Sequence, residues 1–250
     1  MHISLAAETI FHLGNFPITN SLLASLVVTI LLLVITLIIR LILKTNPEGV
    51  QNVAEAIIEY LLDLSESIGG TKTRKFLPLV LTFFIYILFC NWIGLLPGFG
   101  SIGFNEVQNG AKVFVPLLRG TTADLNTTLA LALIAFFSIQ YYGFAGQKLG
   151  YLKKFFNFSS PVMFFSGILE LISELAKIIS FSFRLFGNIF AGEVLLSVMT
   201  FLIPVIIPLP FVGLEIFVGL IQALVFSLLT LVFINIAMST HGEEVEHGIN

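Results

Sequence analysis

From Pro161 to Ile203 the chain runs largely apolar, and after Pro161 itself no proline interrupts it until Pro204. Taken as one helix over 160–203, such a tract extends roughly 65 Å at about 1.5 Å per residue. The hydrocarbon core of a bilayer is only about 30 Å thick. A helix this long must tilt steeply or bend, and Gly187 and Gly192 are the places for a bend. A steep tilt also calls for a second protein surface to support it.

Polar residues interrupt the tract in a pattern. Glu170, Glu174, Lys177, Arg184 and Asn188 follow one another at intervals of 4, 3, 7 and 4. Those intervals keep all five on one helical face, with Ser173 and Ser180 beside them. Glu193 lies nine residues beyond Arg184, on roughly the opposite side of a straight helix. The last apolar run carries Glu215 and Gln222 seven residues apart, with Gly219 between them allowing close backbone approach. A short proline-rich turn joins the two runs, so they are expected to be antiparallel and to line one shared path. An ionisable side chain at mid-membrane costs about 2.5 to 3.5 kcal/mol. Such a stripe therefore points to an ion or proton pathway. The plainer alternative is that Glu174 pairs with Lys177 and the other charges reach an interface; it fits the start of the tract better than Arg184.

The remaining sequence is that of a membrane protein. Hydrophobic residues make up 57% of the chain and charged ones 11%, against roughly 25% charged in a soluble domain. The expected architecture is an all-α membrane domain over 1–250 with five spanning helices, about 22–43, 76–97, 125–146, 160–203 and 211–240. A stretch at about 49–68 is different. Val50, Val53, Ala54, Ile57, Ile58, Leu61 and Leu62 recur at helical spacing opposite Glu55, Glu59, Asp63 and Glu66. That is an amphipathic surface helix, and its acidic face is suited to a protein partner or to water. Most Lys and Arg fall on one side of this map, which puts the N-terminus outside and the C-terminus in the cytoplasm. Trp92 sits where an interfacial Trp is expected. No Lys or Arg precedes the first apolar run, so that run is expected to be a retained helix, and no transit peptide is visible, which favours a bacterial inner membrane.

Several function classes fall away. A net charge of −3 without a basic, aromatic-rich cluster argues against nucleic-acid binding. Cys90 is the only cysteine, so an intrachain disulfide is impossible, and it is expected in the core. His241 and His247, with Glu243, Glu244 and Glu246, are six residues apart in a polar tail and make poor metal ligands, so no metal or other cofactor is expected. No nucleotide loop or hydrolytic triad is readable. Asp124 suits either an outer vestibule or the N-cap of the helix that starts at Leu125. Asn91 suits a helix-end cap or packing, and Thr127 and Thr128 a bond back to their own helix.

Four motifs, in order, resemble subunit a of F-type ATP synthases: "NWIGLLPG" (91–98), "TADLNTTLALAL" (122–133), "ELAKIISFSFRLFGNIFAGE" (174–193) and "GLEIFVGLIQALVFSLLTLVFI" (213–234). The resemblance spans nearly the whole chain. It implies a fixed membrane subunit, without a catalytic site of its own, beside a rotating c-subunit ring and held by peripheral-stalk b subunits in a hetero-oligomeric complex. It implies that Arg184 is the essential gate facing the ring carboxylate. It further implies an outer half-channel of Asn188, Glu193, Glu215 and Gln222, with Asp124 as a further lining residue, and a cytoplasmic one of Glu170, Ser173 and Ser180. In some relatives the position of Glu215 is a histidine. A self-contained proton-coupled transporter is the alternative, but such folds often carry internal repeats, and none is seen. A purely structural assembly subunit is a third reading, against which the membrane-embedded charges speak.

Overall fold

The computed structural model describes residues 7–44, 49–96, 99, 102–108, 111–155, 160–203 and 208–239. The histidine-bearing tail lies outside them, as does the proline-rich link at 204–207. The described chain is predominantly helical. Thr9–Leu13 (β1) and Phe16–Thr19 (β2) form a hairpin around a Gly14–Asn15 turn, where Gly14 has φ +65°. Asn20–Ile42 (α1) follows, with the Thr19 hydroxyl accepting from the Leu22 N–H at 3.3 Å. Val50–Gly69 (α2) is the amphipathic helix and runs into a 3-10 segment, Gly70–Lys75. Leu77–Ile93 (α3) is predominantly apolar, with Asn91 near its end. A second hairpin, Gly103–Gln108 (β3) with Ala111–Pro116 (β4), leads through a 3-10 turn at Thr121–Ala123 to Leu125–Gln147 (α4). A short helix, Leu149–Phe155 (α5), precedes the two long ones, Pro161–Leu202 (α6) and Pro208–Met238 (α7). The two short hairpins, which the expected architecture does not include, precede α1 and join α3 to α4 in a chain whose architecture is otherwise the expected helical one.

Four helices, α1, α4, α6 and α7, are long and apolar enough to cross a bilayer. The apolar helix α3 is shorter, at 17 residues. Its end at Ile93 falls short of the expected 97 because the chain turns at Gly94. α6 begins behind Ser160, whose hydroxyl accepts from the Val162 N–H at 3.3 Å, and stays helical through both Gly187 and Gly192.

The core lies where α3, α4, α6 and α7 meet. Phe83, Phe84 and Ile87 of α3 pack with Ala132 and Ala135 of α4, Phe181 and Leu185 of α6, and Ala223 and Phe226 of α7. Phe181 meets Phe226 edge-on, with centroids 4.9 Å apart, a favoured aromatic geometry. Small residues on α4 let α6 and α7 approach it on either side. A second cluster, built on Phe76, Ile139, Tyr151 and Ile234, closes the α5 end.

Two side chains at the end of α3 fix α7 alongside it. Asn91 Nδ2 donates to the Gly219 carbonyl at 2.9 Å, and its Oδ1 accepts from the Thr122 hydroxyl at 2.7 Å. Trp92 Nε1 donates to the Ile216 carbonyl at 3.0 Å. A Cβ at position 219 would stand 3.1 Å from Asn91 Cβ, so glycine is what lets the two helices close here. Asn91 is thus a cross-link between three elements. Asp124 takes the capping role: Oδ1 accepts from the Asn126 N–H at 3.1 Å and Oδ2 from the Ser21 hydroxyl at 2.5 Å. It is buried, and ties the start of α4 to the start of α1.

Candidate functional site

The polar face of α6 meets α7 and its neighbours at three successive levels. The first is at the α5 end. Glu174 is 2% exposed, and burial of a carboxylate is tolerable only with partners for its charge and lone pairs. Oε1 accepts from Lys177 Nζ at 2.7 Å and lies 3.6 Å from Lys154 Nζ. Oε2 accepts from Gln140 Nε2 at 2.9 Å, and Gln140 Oε1 accepts from the Tyr151 hydroxyl at 2.8 Å. Lys154 Nζ also reaches Glu170 Oε1 at 2.7 Å. Two cations thus balance two carboxylates across α5 and α6, and α4 joins them through Gln140. Burial, then the charges of Glu174 and Glu170, push the Tyr151 phenol up to about 12, so it remains a donor to Gln140 at neutral pH. Ser173 stands outside this network, exposed on α6.

About two turns beyond Lys177 along α6 is Arg184. It is exposed, and its Nη2 donates to the Ser180 hydroxyl at 3.2 Å. No carboxylate among the described residues lies within 4.0 Å of it. The exposed surface beside it is apolar, with Ile179 and Phe183 more than half exposed. One turn on, Asn188 Nδ2 donates to Gln222 Oε1 at 2.8 Å, joining α6 to α7. Gln222 is buried, and its Nε2 has no hydrogen-bond acceptor among the described residues.

The third level holds Glu193 and Glu215. Glu193 Oε2 lies 3.6 Å from Arg119 Nη2, an ion pair too long for a hydrogen bond. Arg119 sits in the segment between the second hairpin and α4, and its side chain is largely buried. Glu215 of α7 is buried against Gly192 of α6, where any Cβ would overlap the carboxylate. Glu193 is thus set beside Arg119, with Glu215 against the adjacent residue of the same helix.

Sequence comparison now bears on what this arrangement belongs to. Residues 22–235 match the family model described as ATP synthase A chain. The chain belongs to the ATP synthase A chain family. A similar protein is ATP synthase subunit a, chloroplastic, of Stigeoclonium helveticum: 38% identical over 200 residues, covering 80% of this chain and 76% of that one. With four long apolar helices among its described residues, this chain is a multi-pass membrane protein. The relative's chloroplast location lends no support to the expected bacterial membrane.

Within this family member the structure adds residues that the sequence did not single out. Arg119, Gln140, Tyr151 and Lys154 complete the two outer levels of the seam. None carries a local pattern that marks it. Lys154 and Tyr151 look like parts of a basic connecting loop, and Gln140 is one amide on an apolar helix.

Proposed function

We propose that this chain is the stator subunit of an F-type ATP synthase that conducts protons through two half-channels meeting at Arg184, beside a ring of c subunits. The observation that carries this reading is an exposed arginine beside an apolar rim, with no carboxylate within 4.0 Å of it among the described residues. A cation so placed in a membrane needs its counter-charge from a partner. A ring carboxylate brought opposite Arg184 has its pKa lowered by the opposite charge and gives up its proton there. Arg184 acts there as a fixed cation and does not itself carry protons across. It therefore separates the two half-channels while the ring carboxylate passes. A transmembrane potential supplies about 2.3 kcal/mol per charge per 100 mV, and the positions of the half-channels turn that energy into directed rotation.

Glu193, Glu215, Gln222 and Asn188 form the outer half-channel in this proposal. They follow one another along the α6–α7 seam towards Arg184, and the unpaired Gln222 Nε2 is a natural site for a water. Asp124, at the cap of α4, is a further residue of that half-channel in this reading. Ser180, Ser173 and Glu170 form the cytoplasmic one. The reading includes α3 as a fifth span, about 25 Å long, with Trp92 at its outer interface. It places α2 along the cytoplasmic surface with its acidic face towards the peripheral-stalk b subunits. It also keeps the N-terminus outside and the C-terminus in the cytoplasm, in an energy-coupling membrane of a bacterium or an organelle.

The test is ATP-driven acidification of inverted vesicles that carry the assembled complex, with passive proton leak recorded alongside. Arg184→Gln is expected to cut pumping by on the order of 100-fold, as loss of a charge-stabilising group does, with assembly intact. Pumping at the wild-type rate in that variant removes the proposal.

A further inference from the structure

Lys177 and Arg184 line one cleft between α6 and α7, together with Ser180, Phe181, Leu229 and Phe233. They are two helical turns apart, about 10 Å along the axis. Both are cations, but they are treated differently. Lys177 Nζ is bonded to Glu174 Oε1 at 2.7 Å and sits 4.6 Å from the centre of the Phe233 ring. Arg184 has the Ser180 hydroxyl. The carboxylate that restrains Lys177 is itself locked: Gln140, itself bonded to Tyr151, holds one oxygen, and the Lys154 ammonium stands 3.6 Å from the other.

We propose that Glu174 is a positioning residue for proton transfer at Arg184: it holds Lys177 at the α5 end of the cleft and cancels its charge, leaving Arg184, among the described residues, as the cleft's one cation without a carboxylate. This rests on the function proposed above. Lysine carries its charge on a flexible four-carbon stem. Released from Glu174, it swings along the cleft and offers a passing carboxylate a second partner. A carboxylate held by two cations stays ionised further from Arg184 and takes up its next proton later. The network that grips Glu174 keeps that second partner out of play.

Three variants test this in the assembled complex, by initial rates of ATP-driven acidification. Glu174→Gln is expected to slow pumping on the order of tenfold, the effect of one uncompensated charge about 10 Å away at an effective dielectric of about 20. Adding Lys177→Gln to it should return the rate to within about threefold of wild type. Adding Lys177→Arg instead keeps the cation and should leave the rate low. A role in packing alone makes no such distinction by charge. A wild-type rate in Glu174→Gln, or a double glutamine variant as slow as the single, overturns the proposal. Where Glu174→Gln does not assemble, the double glutamine variant decides: a rate within threefold supports the proposal, and a tenfold loss overturns it. Arg184→Gln is measured in parallel. If it pumps normally the function itself fails; if it does not, a failed rescue counts against the role of Glu174 alone.

Discussion

The first turns of α6 and its middle carry the same kinds of residue and use them in opposite ways. Around Glu174 each ionised group has a partner within the chain, and α4, α5 and α6 are bound together by it. Around Arg184 the chain provides a hydroxyl and an apolar rim. Buried charges that are mutually satisfied hold a structure; a charge without an internal counter-ion is held ready for something else. The spacing of charges on a helix is thus a poor guide to their roles, and the partners that each one finds in the fold decide.

Making the middle of α6 resemble its start should have the largest effect. Ser180→Glu places a carboxylate four residues from Arg184, within reach on a helix. At about 4 Å and an effective dielectric of about 20 the pair gains about 4 kcal/mol, so acidification should fall by 100-fold or more while the complex still assembles. Unchanged pumping would mean that Arg184 needs no external partner.

Gly192→Val comes next. Its side chain takes the space of the Glu215 carboxylate, and overpacking of this kind costs about 1 to 3 kcal/mol. Pumping should drop roughly tenfold, and Glu215→Asp in the same chain should restore part of it. A single variant that pumps normally would separate the two residues.

Loss of Gln140 from the paired end is expected to appear in stability rather than in proton leak. Gln140→Leu leaves Glu174 Oε2 and the Tyr151 hydroxyl without their partner, at about 1 to 3 kcal/mol for each buried group. The solubilised complex should melt at a lower temperature, and passive leak should stay unchanged. A rise in leak would show that this end seals a proton path. The smallest effect is expected from Arg74→Ala. Arg74 pairs with Glu66 on the surface between α2 and the 3-10 segment, where exposed ion pairs contribute little. Both the melting temperature and pumping should be unaltered.

What the sequence revealed was whatever depends on one helix at a time. The unbroken length of α6, the shared face of Glu174, Lys177 and Arg184, and the capping role open to Asp124 all follow from spacing along the chain. The pair Glu174–Lys177 was legible as an i,i+3 contact. Its enclosure by Gln140, Tyr151 and Lys154 was not, because those residues arrive from α4 and α5 through packing. The nearness of Glu215 to Gly192 likewise depends on how α6 and α7 meet. Arg119 carried no signal beyond its charge. The first hairpin had a readable cue in Gly14–Asn15 between two short β-branched or aromatic runs, but the apolar helices dominated the map. The family resemblance supplied roles for the seam that spacing alone did not.

The hold of α3 on α7 has a consequence for how this chain can change over time. Asn91 and Trp92 grip main-chain carbonyls, at Gly219 and Ile216. Every amino acid presents the same carbonyl, so the side chain at 216 is free to drift without loosening the grip. Position 219 has no such freedom, because any Cβ there crowds Asn91. Evolution can therefore rewrite the outward face of α7 to suit a different neighbour while the helix's axial register stays fixed.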